Sequence, residues 1–102
     1  MSRKEMILKK ALALFNEKGF NDVSTYDIAK AVGISQGNLT YHYPTKKKLV
    51  NTLAKNMIEE IDLLVLHVGP GFSFIDFYEN LTYTFTINLK YHFLYMNYSQ
   101  IV

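Results

Sequence analysis

No cysteine occurs in the 102 residues. Disulfides and thiolate chemistry are therefore excluded, and a reducing, cytoplasmic setting is the expectation. Long apolar runs are also missing. The longest, Leu63 to Leu66 with Val68 beyond His67, is far too short to span a bilayer, so no membrane partner is expected. The first ten residues mix Arg3, Lys4, Lys9 and Lys10 with Glu5, Met6, Ile7 and Leu8, which does not read as a signal peptide. Glycine and proline are scarce, five and two, and all but Gly37 fall where a helix should stop. There is no nucleophile–base pair and no phosphate-cradling glycine loop, so no enzyme is expected. His42, His67 and His92 stand 25 residues apart with no partner one turn away, which argues against a metal site. No cofactor is expected either.

What is present divides the chain. Apolar residues make up 49%, enough for a packed core, and the length fits one domain at most. Residues 1–48 hold nine Lys/Arg against four Asp/Glu, a net of +5, while residues 49–102 hold two against five, a net of −3. The aromatics run the other way, five before residue 49 and ten after. A basic half beside an acidic, aromatic half suggests contact with a polyanion in one and burial of something apolar in the other.

The apolar spacing is helical nearly throughout, so the fold class is all-α. A first helix runs from about Arg3 to Lys18, carrying Ile7, Leu8, Ala11, Leu12, Leu14 and Phe15, and Gly19 closes it in the left-handed conformation. Ser24, with Asp27 three residues on, caps a short second helix in which Ile28, Ala29 and Val32 face inward. Gly33 breaks it. Ser35 caps a third, about Gln36 to His42, which Pro44 ends. Thr45 caps a fourth, about Lys46 to His67, with an apolar stripe from Val50 through Leu53, Met57, Ile58 and Ile61 to Val68. Gly69-Pro70-Gly71 is a break. A fifth helix runs from near Ser73 to Lys90, and Tyr91 to Val102 is mostly helical.

Two short helices joined by a glycine-containing turn are the helix-turn-helix signature. An α-helix with its side chains fits the major groove of B-DNA. The second helix would cross the backbone and the third would enter the groove. Leu39 is the inward anchor of the third helix, which leaves Gln36, Gly37, Asn38, Thr40 and Tyr41 outward. Gln and Asn pair bidentately with adenine, Thr meets a thymine methyl, and Gly37 lets the backbone come close. Lys46 begins a helix whose amino end suits a phosphate. Lys47 and Lys48 are equally a solvated charge run. Arg3 and Lys4 read as a frayed basic terminus rather than a groove-reading arm.

Residues 7–49, ILKKALALFNEKGFNDVSTYDIAKAVGISQGNLTYHYPTKKKL, resemble the DNA-binding domain of TetR-type transcriptional repressors. The resemblance lies in the ALALFNEKGF helix end, in S-T-x-x-I-A-x-x-x-G-I-S and in G-x-L-x-x-H-Y-x-[ST]-K. It implies a three-helix DNA-binding head, here residues 1–46, and the start of a helical ligand-binding and dimerisation body, here 47–102 and incomplete. It further implies a homodimer on palindromic double-stranded DNA, released by a small-molecule effector. Ser24 and Thr25 would touch phosphate and Tyr26 would lie near the groove. Gln36, Gly37, Asn38 and Tyr41 would face bases or sugars, and His42 and Lys46 would hold the backbone. Where the family usually carries a phosphate-reaching aromatic, this sequence has Thr40. Family members run near twice this length, so the expectation is an amino-terminal portion whose fourth and fifth helices leave apolar faces open.

Three alternatives stay beside this reading. One is a truncated head that binds DNA without sensing a ligand. Another is a helical interaction module whose lysines meet some other acidic partner. The third concerns the ten aromatics from Phe72 to Tyr98, which line either an apolar ligand pocket or a plain core.

Overall fold

A computed structural model describes residues 1–65, 71 and 73–101, with the side chains of 64 and 65 left out of the description. Seven α-helices account for most of it: α1 (Arg3–Lys18), α2 (Thr25–Val32), α3 (Gln36–His42), α4 (Lys46–Val65), α5 (Phe74–Lys90), α6 (Phe93–Met96) and α7 (Tyr98–Ile101). No strand occurs among the described residues. The expected stripe beyond Val65, the break at Gly69-Pro70 and the aromatic Phe72 lie outside them.

The starts of the helices are written locally. Ser24 Oγ accepts from the Asp27 amide at 3.1 Å while Asp27 Oδ2 accepts from the Ser24 amide at 2.9 Å, a reciprocal capping box. Ser35 Oγ accepts from the Asn38 amide at 3.1 Å and Thr45 Oγ1 from the Lys48 amide at 3.1 Å. Two caps escape the sequence reading. Ser2 accepts from the Glu5 amide at 3.2 Å, so the first turn is closed rather than frayed. Ser73 and Asp76 form a second capping box at the head of α5. Gly19 does end α1, but at φ 89° and ψ 154° it leaves the helix into an extended path instead of the left-handed cap expected. A short 3₁₀ turn, Phe20–Asp22, follows.

One core joins these elements. Ile7, Ala11 and Phe15 lie one α1 turn apart and meet Val23, Ile28, Ala29, Leu39 and Tyr43. Leu49, Val50, Leu53 and Met57 bring in the first half of α4. Tyr91 and Phe93 complete the cluster from far along the chain, the Phe93 ring 5.0 Å from Phe15. The expected α4 stripe holds at Val50, Leu53 and Met57 but fails at Ile58, which is 58% exposed.

Polar side chains pin the distant pieces together. Asn16 Nδ2 donates to the Lys90 carbonyl at 2.7 Å, and its Oδ1 accepts from the Phe93 amide at 3.1 Å. Asn97 Oδ1 accepts from the Phe20 amide at 3.1 Å. Each bond satisfies a backbone group where a helix begins or ends. The α5 helix itself buries none of its side chains. The radius of gyration is accordingly 16.0 Å, against about 13 Å for a compact domain of this size.

Candidate nucleic-acid interface

The turn between α2 and α3 is fixed by Gly33, whose φ of 85° and ψ of 32° are left-handed. Its amide and that of Ile34 both donate to the Ala29 carbonyl, at 2.9 and 3.0 Å. A side chain at this φ would be strained. Ser35 then starts α3 at once, and fully buried Leu39 anchors the helix to the core. With one face so committed, Gln36, Gly37, Asn38 and Tyr41 are exposed, Tyr41 by 83%. Thr40 and His42 are half-buried.

Gly37 is informative because nothing among the described residues requires it. A Cβ built there meets no atom within 4 Å. Gly37 is the second residue of α3, and a glycine within a helix costs up to roughly 1 kcal/mol relative to alanine. Open space in front of a glycine on an exposed helix leaves room for a foreign surface to come close to the backbone.

Hydrogen bonds organise the polar groups around it. Gln36 Nε2 donates to Thr25 Oγ1 at 3.0 Å, tying α3 to the first turn of α2. Arg3 Nη1 donates to Asn38 Oδ1 at 3.3 Å, across 35 residues of sequence. Thr40 Oγ1 donates to the Gly37 carbonyl at 3.1 Å, so its hydroxyl is used within its own helix. Tyr41 and His42 meet edge to face with ring centroids 5.2 Å apart. Tyr26 is exposed beside Thr25, and the Ser24 hydroxyl is engaged in its capping box.

Lys46 differs from its expected posture. Its ammonium donates to the Phe20 carbonyl and sits 4.0 Å from the centre of the Phe20 ring. Burial lowers its pKa, while Asp22 and Asp27 pull the other way. Lys47 and Lys48, by contrast, are exposed. Tyr43, just after α3, is buried in the core, and burial raises its phenol pKa.

The structure thus gathers Thr25, Gln36, Gly37, Asn38 and Tyr41 on and around one exposed helix and turns Lys46 inward. Sequence reasoning missed Arg3 as a member of this group. The Ser2 cap was the available signal, but the contact with Asn38 depends on how α1 lies across α3.

The comparisons with known proteins follow the same geometry. The family model of bacterial regulatory proteins of the tetR family matches residues 7–53. The biofilm operon icaADBC HTH-type negative transcriptional regulator IcaR of Staphylococcus epidermidis is 31% identical over 98 residues, 94% of this chain and 53% of that protein. Its namesake in Staphylococcus aureus strain Newman is 32% identical over 63 residues, 62% of this chain and 34% of that protein. The crystal structure of a TetR-family transcriptional regulator from Marinobacter aquaeolei VT8 superposes with a TM-score of 0.92 at 26% identity, covering 99% of this chain and 50% of that one. The chain spans about half the length, or less, of the relatives it matches. With the turn, its caps and the exposed helix all inside residues 7–53, that segment matches the tetR family of bacterial regulatory proteins.

Proposed function

We propose that the chain is the DNA-binding half of a sequence-specific transcriptional repressor. The observation that carries this reading is α3: a capped helix, anchored by one buried leucine, with an exposed polar row around an unobstructed Gly37. In this reading α3 lies in the major groove and Gln36, Gly37, Asn38, Thr40 and Tyr41 face bases or sugars. Tyr26 lies near the groove. Ser24 and Thr25 meet phosphates from α2. A phosphate oxygen only accepts, so the Thr25 hydroxyl donates outward while still accepting from Gln36. His42 flanks the backbone, and Lys46 joins it by leaving the Phe20 carbonyl. The relatives' description as negative regulators supports repression. A cytoplasmic homodimer on a palindromic operator, with half-sites roughly 34–36 Å apart, and a small-molecule effector held by a helical body beginning near residue 47 complete the proposal.

A second reading has its own support. In it, α5 has no side chain fully buried and so no packed pairing surface within these residues, and they bind DNA as an unpaired head held mainly by phosphates. Selection from random duplex DNA at low and at physiological salt separates the two. An enriched palindrome that survives the higher salt is the expected result for a dimeric reader. Binding without sequence preference that vanishes with salt supports the unpaired head, and no binding at either salt overturns both.

A further inference from the structure

We propose that Arg3 determines which base Asn38 reads, making the first turn of α1 part of the sequence-reading surface. The inference rests on the DNA-binding reading above and goes beyond it in naming a specificity-determining residue outside the helix-turn-helix. Arg3 is held in place rather than frayed. Ser2 caps its helix through the Glu5 amide, and the Ser2 carbonyl accepts from Met6 at 3.0 Å. From that closed turn the guanidinium donates to Asn38 Oδ1 at 3.3 Å.

The chemistry of the two side chains makes this bond directional. Arginine has five N–H donors and no acceptor, so it bonds only the oxygen of the asparagine amide. The amide is thereby oriented, with oxygen toward Arg3 and NH2 available elsewhere. An unconstrained asparagine suits adenine, accepting from N6 and donating to N7. With one of its oxygen's two lone pairs taken by a guanidinium, Asn38 offers adenine a weaker acceptor, for which Arg3 competes. The pair presents donors. Among major-groove edges, guanine offers two acceptors, O6 and N7, thymine offers one, O4, beside its methyl group, and adenine and cytosine each offer an amino group that a donor surface disfavours. The geometry therefore assigns a guanine opposite Asn38 in each half-site, and the loss of Arg3 should return that position to adenine. Arg3 is a positioning residue in this scheme, since it acts through Asn38.

The test is selection from random duplex DNA with the full chain as wild type, Arg3→Ala, Asn38→Ala and the double variant. Arg3 and Asn38 are both exposed, so neither substitution removes core packing. Asn38→Ala locates the position by erasing its base preference. The expected result for Arg3→Ala is a switch from guanine to adenine at that position, on the order of tenfold, with every other position unchanged. The double variant should match Asn38→Ala there, because Arg3 has nothing left to orient. A uniform loss of affinity across all sequences, with the salt slope reduced by about 0.9, would make Arg3 a phosphate contact and overturn the proposal. An adenine preference already present in the wild type at that position, or an unchanged guanine in Arg3→Ala, overturns it as well. A wild type that enriches no motif at all overturns the DNA-reading conclusion itself, and is told apart because it fails before any variant is compared.

Discussion

Residues up to about 57 and helix α5 are built from the same materials and end in opposite conditions. Both are amphipathic, and each contains a capping box, Ser24–Asp27 in one and Ser73–Asp76 in the other. In the first region the apolar residues are covered: Ile7, Phe15, Ile28, Leu39 and Leu49 are all at 0% exposure. In α5 the corresponding large residues, among them Phe77, Tyr78, Leu81 and Phe85, are more than half exposed. Local signals therefore suffice to make a helix, but they do not decide whether it belongs to a core. What decides is a partner surface, and among the described residues Ile87, near the carboxyl end of α5, is the one that packs against the cluster.

The comparison predicts opposite responses to one substitution. Phe15→Ala empties a site bounded by Phe20 at 5.5 Å and Phe93 at 5.0 Å. It should cost about 3–5 kcal/mol, a large share of the roughly 5–15 kcal/mol that holds a domain folded. Phe85→Ala, at a position 63% exposed, should change stability by no more than about 0.5 kcal/mol. Urea unfolding of the two variants reads both. A large loss from Phe85→Ala would mean that α5 is covered in solution and would break the comparison.

A second substitution probes the seam. Asn16→Ala removes the acceptor of the Phe93 amide and the donor to the Lys90 carbonyl. Leaving such groups unpaired should cost about 1–3 kcal/mol. The loss should appear first as faster amide exchange at Phe93, since that contact seats the α6 segment on α1. The nearby Lys90–Glu60 pair, at 2.9 Å with side chains 50% and 35% exposed, is a solvent-screened contact of little weight. Exchange at Phe93 unaffected by Asn16→Ala would place the holding force in the Phe15–Phe93 ring contact alone.

How much could be read beforehand follows the same division. The helix-turn-helix was legible because each of its determinants is local. Ser24 and Asp27, Gly33, Ser35 and Leu39 act within a few residues of themselves. The seam was not legible, since Asn16 and Phe93 are separated by 77 residues and asparagine carries no periodic signal. Arg3 was missed for the same reason, its partner Asn38 being set by the packing of α1. Lys46 is expected to meet a phosphate because a lysine at a helix start suits one; its present acceptor, the Phe20 carbonyl beside the 3₁₀ turn, is set by tertiary packing and has no local signal. The stripe through Ile58 and the aromatics of α5 were correctly seen as apolar, yet periodicity names a face without naming what lies against it.

The smallest effect is also the finest test of the comparison, because it uses two copies of one device. Hydrogen bonds from the Ser24 amide and hydroxyl lower the Asp27 pKa below the usual carboxylate range, and those from Ser73 do the same for Asp76. A carboxylate with a depressed folded-state pKa contributes stability that is complete above its unfolded value, near 3.9, and is lost as pH falls through the lower folded value. Both carboxylates are solvent-exposed, so the contributions are small. For Asp27 that loss should reach the whole domain, because α2 packs into the common core, and Asp27→Ala should remove part of the acid dependence of global unfolding. For Asp76 it should stay local. Asp76→Ala should leave the global acid limb unchanged and speed exchange only in the first turn of α5. Equal effects on global unfolding would show that α5 folds together with the head, and that its exposed aromatic face is held from its carboxyl end as firmly as if it were covered.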